Sequence, residues 1–319
     1  MFKNSQKRKN KSNFKVNTNA ANTFQTFVFD FLHKLNSKIK FSIERDLLNL
    51  RLPEPNEALF FITDRVRNPN LLIENIEKKE GINNLIIFAD KTKGCTYLDK
   101  ADTLILKPAY NDNNRYNLHA KIYAVNNYII LTSANLNTTN ATIEHYFIIN
   151  SEQFKNQLKT ELKKPVKTKQ KYQLPKENEI FIHINNWSYP VDLFKFIKRT
   201  EPINEIIVSN SWTNKKVIAD IQKVCSNFKL ISANNLLLAN RSNGEWIEKH
   251  TDLTLTDIHC KIALVKTDTN NYIIFGSENY GFAVKNELEH LTITNNSELY
   301  NQIKNHLTKI KQNGRTGKQ

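Results

Sequence analysis

The sequence of 319 residues carries 46 Lys and Arg against 31 Asp and Glu, a formal net charge of +15 and a pI near 9.5. This balance favours a polyanionic partner, most commonly nucleic acid; the alternative is a basic protein whose Lys- and Asn-rich composition serves only solubility. No run of about 18 apolar residues occurs, which excludes a membrane-spanning helix in this sequence and argues against a membrane-anchored lipid enzyme.

The three cysteines, Cys95, Cys225 and Cys260, have neither metal-binding nor redox spacing. The N-terminus also lacks the apolar core of a signal peptide. Both observations predict a reducing compartment, and we expect a cytoplasmic protein without disulfides.

Residues 1–21 are rich in Lys, Asn and Ser and have no apolar periodicity, which predicts a disordered basic tail. Its Lys7, Arg8 and Lys9 are candidate non-specific nucleic-acid contacts, with a merely solvated tail as the alternative. Residues 22–39 carry Phe and Leu at helical spacing and predict an amphipathic helix whose aromatic side chains belong to a core.

The following residues alternate short apolar runs with helical segments, which predicts a mixed sheet with helices on its faces. Predicted strands lie at 58–62, 85–89, 103–106 and 144–149, with helices at 69–80 and from Ser151, as N-cap, to about residue 163. A Lys-rich run with a proline at 163–171 predicts a linker, with a DNA-backbone contact as the alternative. We therefore expect a first unit at 22–171 and a second at 172–319.

The second unit predicts the same alternation. Strands are expected at 179–184, 205–208 and 228–231, and helices at 192–199 and 213–225. Residues 236–255 are polar and predict a loop that lies just before His259. Arg241 and Trp246 in this loop are candidate nucleic-acid contacts. Trp246, Trp187 and Trp212 are each candidates for stacking on a base, with a role as a core or surface anchor as the alternative.

One pattern occurs twice. The first repeat, residues 118–150, reads L-H-A-K-I-Y-A-V, then Y-I-I-L-T-S-A-N, then E-H-Y-F-I-I-N, and the second repeat, residues 258–295, reads I-H-C-K-I-A-L-V, then N-Y-I-I-F-G-S-E-N, then E-H-L-T-I-T-N. Such self-similarity predicts two copies of one structural unit. In a strand, residues two apart share a face, so each His and Lys would stand side by side.

Two H-x-K motifs, each followed by a small-Ser-x-Asn block and Glu-His, resemble the phospholipase D superfamily. The resemblance implies two phospholipase D-like α/β repeats, each a mixed β-sheet flanked by helices, packed about a pseudo-twofold axis. There are departures from the family pattern: its usual Asp is Asn126 in the first repeat and Lys266 in the second, and Thr132 takes the place of a Gly. Branches that lack the Asp use a downstream Glu, and Glu144 and Glu289 fit that role.

The resemblance implies a metal-independent phosphodiesterase without a cofactor. A neutral imidazole attacks phosphorus and forms a phosphohistidine, and a second, protonated imidazole protonates the leaving group and then activates water. By resemblance, His119 is the nucleophile and His259 the acid and base. The other implied site residues are Lys121, Lys261, Asn135 and Asn279 on the charged phosphate oxygens, Ser133 and Ser277 as phosphate-binding groups, and Glu144 and Glu289 as supports of the histidines. His145 and His290 are expected to be structural.

The charge favours nucleic acid, DNA first, as the substrate. One alternative is a phosphodiesterase that acts on lipid or on nucleic-acid end adducts. Another is a catalytically inactive nucleic-acid-binding protein, which Asn126, Lys266 and Thr132 would support. A metal site at His259 and Cys260 is disfavoured because adjacent strand residues face opposite ways. A homodimer is compatible with the sequence.

Overall fold

The computed structural model describes residues 30–34, 39–44, 59–67, 85–91, 103–106, 117–125, 127–137, 142–161, 172–185, 190–234, 241–281, 287–313 and 315–316. Its strands are β1 (Asp30–Lys34), β2 (Ile39–Glu44), β3 (Leu59–Arg67), β4 (Leu85–Lys91), β5 (Thr103–Leu106), β6 (Asn117–Leu118), β7 (Ile122–Val125), β8 (Tyr128–Thr132), β9 (Leu136–Asn137), β10 (Glu144–Asn150), β11 (Glu179–Asn185), β12 (Ile203–Asn210), β13 (Phe228–Ala233), β14 (Asp252–Thr256), β15 (Ile262–Thr267), β16 (Asn271–Gly276), β17 (Glu287–Asn295) and β18 (Arg315–Thr316). Its helices are α1 (Glu152–Glu161), α2 (Pro190–Thr200), α3 (Lys215–Val224), α4 (Arg241–His250) and α5 (Ser297–Asn313).

The strands form two sheets with the same internal order. The first runs β2-β10-β8-β7-β3-β4-β5, and the second contains β11-β17-β16-β15-β12-β13-β14. In both, three parallel strands adjoin a set of antiparallel ones, because β7 and β15 each reverse direction beside β3 and β12. The structure thus confirms the predicted α/β class with two repeats.

The two sheets share one apolar core. Buried side chains from both repeats meet in it, and the rings of Phe147 on β10 and Phe275 on β16 stack with centroids 3.5 Å apart. A second core lies between the second sheet and helices α2, α3 and α4. Burying apolar side chains from both repeats in one cluster favours association of the repeats through the hydrophobic effect.

Most predicted elements are present, with the expected shift of a residue or more at their ends. Ser151 caps α1 by accepting a hydrogen bond from the backbone N–H of Phe154 at 3.1 Å. The predicted helix at 69–80 and the predicted linker at 163–171 lie outside the described residues. Among the helices of the described ranges, none is long and apolar enough to cross a membrane.

Two predictions were wrong. The expected helix at 22–39 is replaced, in its described part, by β1 and the start of β2. The sequence of β2 alternates apolar and polar residues with a period of two, and Ile39 and Phe41 pack against the shared core. The expected loop at 236–255 contains α4 and β14, because Ile247 and Trp246 anchor this polar helix on the second core.

The N-terminal segment contributes to both sheets. Strand β1 pairs antiparallel with β11 at the edge of the second sheet, whereas β2 pairs with β10 in the first. The division into units at 22–171 and 172–319 stays a prediction, and β1 is a part of the predicted first unit that completes the second sheet.

Candidate active site

The two H-x-K motifs lie at matching places, each just before a hairpin. His119 and Lys121 precede β7, and His259 and Lys261 precede β15. They stand outside the regular strands, so the expected strand alternation does not by itself set their directions. Both lysines are fully buried, and both histidines are partly exposed.

Each motif histidine is held by a glutamate from the other repeat. His119 Nδ1 lies 2.6 Å from Glu289 Oε1, and His259 Nδ1 lies 2.8 Å from Glu144 Oε1. Because Nδ1 faces the carboxylate, Nε2 of each ring is the nitrogen left for chemistry. The expectation that these glutamates support the histidines therefore has a geometry, and the support crosses between the repeats.

The second histidine of each Glu-His pair makes a parallel contact. The backbone N–H of Lys261 donates to His145 Nδ1 at 3.2 Å, and that of Lys121 donates to His290 Nδ1 at 3.4 Å. Since Nδ1 accepts a hydrogen bond, the proton of each neutral ring sits on Nε2. Each Glu-His pair thus grips the H-x-K motif of the opposite repeat through one side-chain and one backbone contact. We call this arrangement the reciprocal clasp.

Short backbone contacts reinforce the clasp. The N–H of His259 donates to the carbonyl of Ile143 at 2.7 Å, and the N–H of Ile143 donates to the carbonyl of Asp257 at 2.8 Å. On the other side, β6 pairs parallel with the start of β17. Cys260 Sγ points to the same Ile143 carbonyl at 3.5 Å, and burial raises the pKa of this thiol well above its usual range.

The motif serines orient the glutamates. Ser133 Oγ donates to Glu144 Oε2 at 2.5 Å, and Ser277 Oγ donates to Glu289 Oε2. The same hydroxyls accept backbone N–H groups from His145 and His290. Both serines are fully buried, so the structure puts these expected phosphate-binding groups behind the carboxylates.

Charges in the site are balanced across the repeats. Burial would raise the pKa of Glu289, but the charge and hydrogen bond of His119, with Lys121 and Ser277, hold it at about 2. Burial likewise opposes the ionised form of Glu144, and His259 and Lys261 lower its pKa below the usual value. Both carboxylates are therefore ionised near neutral pH.

The second half-site favours a neutral histidine. Burial and the charge of Lys261 lower the pKa of His259, against the opposing influence of Glu144. Lys261 Nζ lies 3.2 Å from His259 Nε2, where it donates only if that nitrogen carries no proton. Lys261 Nζ also lies 3.4 Å from His259 Nδ1 and donates to the backbone carbonyl of His259 at 3.3 Å, as Lys121 Nζ donates to that of His119 at 2.6 Å. The two half-sites therefore differ in these distances.

The two asparagines also differ. Ser211 Oγ donates to Asn279 Oδ1 at 3.3 Å, which leaves the amide N–H₂ of Asn279 as the donor toward the site. Within the described part of the chain, Asn135 Oδ1 is buried without a hydrogen-bond partner. Ser211 follows β12, far from either motif in sequence, and no sequence pattern marked it.

The structure does not test the expected nucleic-acid contacts. Lys7, Arg8 and Lys9 fall outside the described residues, and Arg241 begins α4. Trp246 stacks on His250 with centroids 4.4 Å apart and packs against the second core, as in the anchoring alternative. Its stacking on a base stays a prediction.

No protein-family model and no curated protein matches the sequence. Solved structures share its fold. Phosphatidylserine synthase from Haemophilus influenzae Rd KW20 aligns over 94% of this chain and 91% of its own, at 10% identity and a TM-score of 0.63. Polyphosphate kinase from Porphyromonas gingivalis aligns over 84% of this chain at 10% identity and a TM-score of 0.53, and the alignment spans 46% of the kinase, about half its length.

The fold and the clasp define a two-repeat α/β protein whose candidate site is shared by both repeats. Structures of phospholipase D superfamily members share this fold, as the two motifs predicted.

Proposed function

We propose that the chain is a phosphodiesterase of the phospholipase D type that hydrolyses nucleic acid, with DNA as the first candidate, through a phosphohistidine. The reciprocal clasp carries this proposal, because it brings two histidine–glutamate pairs and two buried lysines into one composite site. Paired imidazoles with fixed tautomers are the groups that such a double displacement requires.

In the first step, Nε2 of one neutral histidine attacks phosphorus, and the bond from phosphorus to the leaving oxygen breaks. The other histidine, protonated, gives its Nε2 proton to that oxygen. In the second step, the same histidine takes a proton from water, the hydroxide oxygen bonds to phosphorus, and the phosphorus–nitrogen bond breaks. Lys121, Lys261, Asn135 and Asn279 stabilise the charge on the phosphate oxygens, and no step calls for a metal.

We assign the nucleophile to His259 and the acid and base to His119, the reverse of the order that the family resemblance favours. The contact from Lys261 Nζ to His259 Nε2 fits an unprotonated ring. Burial and the charge of Lys261 also lower the pKa of His259, which favours the neutral ring that a nucleophile needs.

The net charge of +15 supports a polyanionic substrate. A phospholipid is the second candidate, because the fold of phosphatidylserine synthase matches nearly the whole chain. A nucleic-acid binder without activity is the third, and the intact pairs of His, Lys and Asn argue against it.

The first test measures cleavage of plasmid and single-stranded DNA in EDTA by wild type, His119→Ala and His259→Ala. We expect wild type to cut and each variant to lose about 1,000-fold or more in rate, since each removes an acid–base or nucleophilic group. His306→Ala, an exposed histidine on α5, is the matched control and should cut normally. Loss of wild-type cleavage in EDTA would refute the mechanism, and cleavage of phospholipid vesicles alone would select the second candidate.

To determine which histidine is the nucleophile, the test uses a substrate whose leaving group needs no proton. With a p-nitrophenyl nucleotide ester, His119→Ala should release a burst of one p-nitrophenolate per enzyme and accumulate an acid-labile phosphoenzyme, because only the second step needs His119. His259→Ala should give neither. The opposite pattern would restore His119 as the nucleophile.

A further inference from the structure

Trp212 is an exposed aromatic side chain beside the second half-site. It follows β12 directly, and 43% of its surface is open to solvent. Among the described residues it is the one large apolar side chain with such exposure. Single exposed apolar side chains are common on protein surfaces, and what distinguishes Trp212 is its place at the edge of the candidate site.

The segment that carries Trp212 is hydrogen-bonded to the loop that follows β16, residues 277–281, which we call the motif loop of the second repeat. Ser211 Oγ donates to Asn279 Oδ1 at 3.3 Å, and Thr213 Oγ1 donates to the carbonyl of Tyr280 at 2.7 Å. The side-chain amide of Asn210 donates to the carbonyl of Trp212 itself. The residues on both sides of the tryptophan are therefore anchored, while its ring stays exposed.

The motif loop also makes room for the ring. A Cβ placed on Gly281 would lie 2.3 Å from Cζ3 and 2.5 Å from Cε3 of Trp212. Only a glycine therefore lets the six-membered edge of the indole lie against the loop backbone. This contact fixes one edge of the ring and limits its rotation.

The loop ties the ring to the chemistry. Ser277, at the start of the loop, donates to Glu289, and Glu289 in turn contacts His119. Asn279, in the same loop, is the residue predicted to donate a hydrogen bond to the phosphate. Trp212 lies against this loop at Gly281, two residues after Asn279, and its neighbour Ser211 bonds Asn279 itself. The exposed indole therefore lies next to the segment that would hold the phosphate.

We propose that Trp212 is a stacking platform for the nucleobase next to the scissile phosphate. This inference rests on the proposed function and narrows its substrate to strands with an unpaired base at the cleavage point. A base offers a flat face that stacks on indole whatever its sequence. A cationic lipid headgroup, the other natural partner of an indole face, is disfavoured because two lysines occupy the site.

The test is a cycle of protein and substrate changes. Wild type and Trp212→Ala are compared on a single-stranded oligonucleotide with one permitted cleavage site and on the same strand with abasic residues flanking that site. We expect Trp212→Ala to lose roughly 5- to 100-fold in kcat/KM on the normal strand. On the abasic strand it should differ from wild type by no more than about twofold. Trp212→Phe should recover most of the loss.

Equal losses on both strands would assign Trp212 a structural role, and no loss on either would remove it from the site; both outcomes overturn the inference. Phe196→Ala is the matched control, since it removes an aromatic ring that packs on the second core, and any loss there should be the same on both strands. Thermal unfolding of each variant separates misfolding from lost stacking.

If wild type cleaves neither strand, the proposed function is refuted but the stacking inference is still testable. The affinities of wild type and Trp212→Ala for the two strands are then compared by fluorescence anisotropy. A base-dependent loss of affinity in Trp212→Ala then supports the platform without catalysis. The inference is overturned if wild type binds neither strand, or if Trp212→Ala loses the same affinity for the normal and the abasic strand.

Discussion

Glu144 and Glu289 make each half of the site depend on the other repeat. Each carboxylate is held by a serine of its own repeat and faces a histidine of the opposite one. Neither repeat alone contains a histidine with a fixed tautomer, so the site exists only when the two repeats are docked.

We expect Glu289→Gln and Glu144→Gln each to lower kcat on oligonucleotides by about 100-fold or more, because a neutral amide stabilises an imidazolium poorly. The two should differ on a p-nitrophenyl ester, whose leaving group needs no proton. There, burst formation should survive Glu289→Gln and slow in Glu144→Gln. Steady-state and burst kinetics check this, with the exposed Glu152→Gln as a control; a normal kcat in either variant would contradict the support role.

The departures from the family pattern have local explanations. Thr132, where the second repeat has Gly276, donates its hydroxyl to the carbonyl of His145 at 2.6 Å. At Gly276 a Cβ would lie 2.1 Å from the carbonyl oxygen of His290. The two carbonyls occupy corresponding positions in the two repeats. In the first repeat the carbonyl accepts a hydrogen bond from Thr132, and in the second it packs closely against a glycine. Lys266 is exposed at the far end of β15, so the glutamates take the place of the usual Asp.

The sequence predicted the candidate residues of the site but not how they pair. His119, Lys121, Glu289 and their counterparts stand out because they recur at matching positions. The crossing between repeats was hidden because His119 and Glu289 are 170 residues apart, and local spacing carries no information on such pairs. Ser211 was missed for the same reason, since it meets Asn279 across 68 residues. Trp212 was considered as a base-stacking residue, but nothing in the sequence placed it beside Asn279.

Strand β1 shows how long-range pairing overrides a local pattern. Apolar residues at helical spacing predicted a helix at 22–39, but β1 forms backbone hydrogen bonds with β11 at an edge that would otherwise be open. β2, in contrast, has a readable alternation, with Ile39 and Phe41 on the apolar face. The parallel strands β4 and β13 were predicted to within two residues, and β3 and β12 in part, because each has an apolar run bounded by polar residues.

Two truncations separate the tail from this strand. Removal of residues 1–21 deletes six cationic side chains and no acidic one. The affinity for DNA should therefore fall, and the slope of log affinity against log salt concentration should become shallower by about one per lost phosphate contact. The thermal stability should not change. Removal of residues 1–38 also opens the edge of β11 and should lower the unfolding midpoint by several degrees. Salt titrations and thermal melts test both; equal melting points for the two truncations would deny β1 a stabilising role.

At the level of the whole molecule, the clasp and the shared core join the repeats into one cooperative body. Phe147 and Phe275 stack across the boundary, and His145 and His290 lie fully buried beside it, each accepting a backbone N–H from the other repeat. Burial, with the positive charges nearby, lowers the pKa of His145 well below its usual range, and burial lowers that of His290 to about 3. Both rings are neutral in the folded protein at neutral pH.

These buried histidines make folding sensitive to acid. Between pH 6.5, the ordinary pKa, and about 3, the unfolded chain binds a proton at His290 that the folded chain does not. The free energy of unfolding therefore falls as the pH falls through this window, by about 1.4 kcal/mol per pH unit for each such histidine. Glu289, with its pKa lowered from 4.5 to about 2, acts in the same direction over that lower range.

Urea unfolding at pH 7.5, 6.5, 5.5 and 4.5 measures the effect. In His290→Asn, the amide oxygen can still accept the N–H of Lys121 but does not titrate, so the slope below pH 6.5 should decrease by about 1.4 kcal/mol per pH unit. The exposed His306→Asn should leave the slope unchanged. If the pH dependence of the free energy of unfolding is the same in His290→Asn and wild type, the ring of His290 is protonated in the folded protein over this range. A protonated ring could not accept the backbone N–H of Lys121 through Nδ1, so this result would contradict that contact of the clasp.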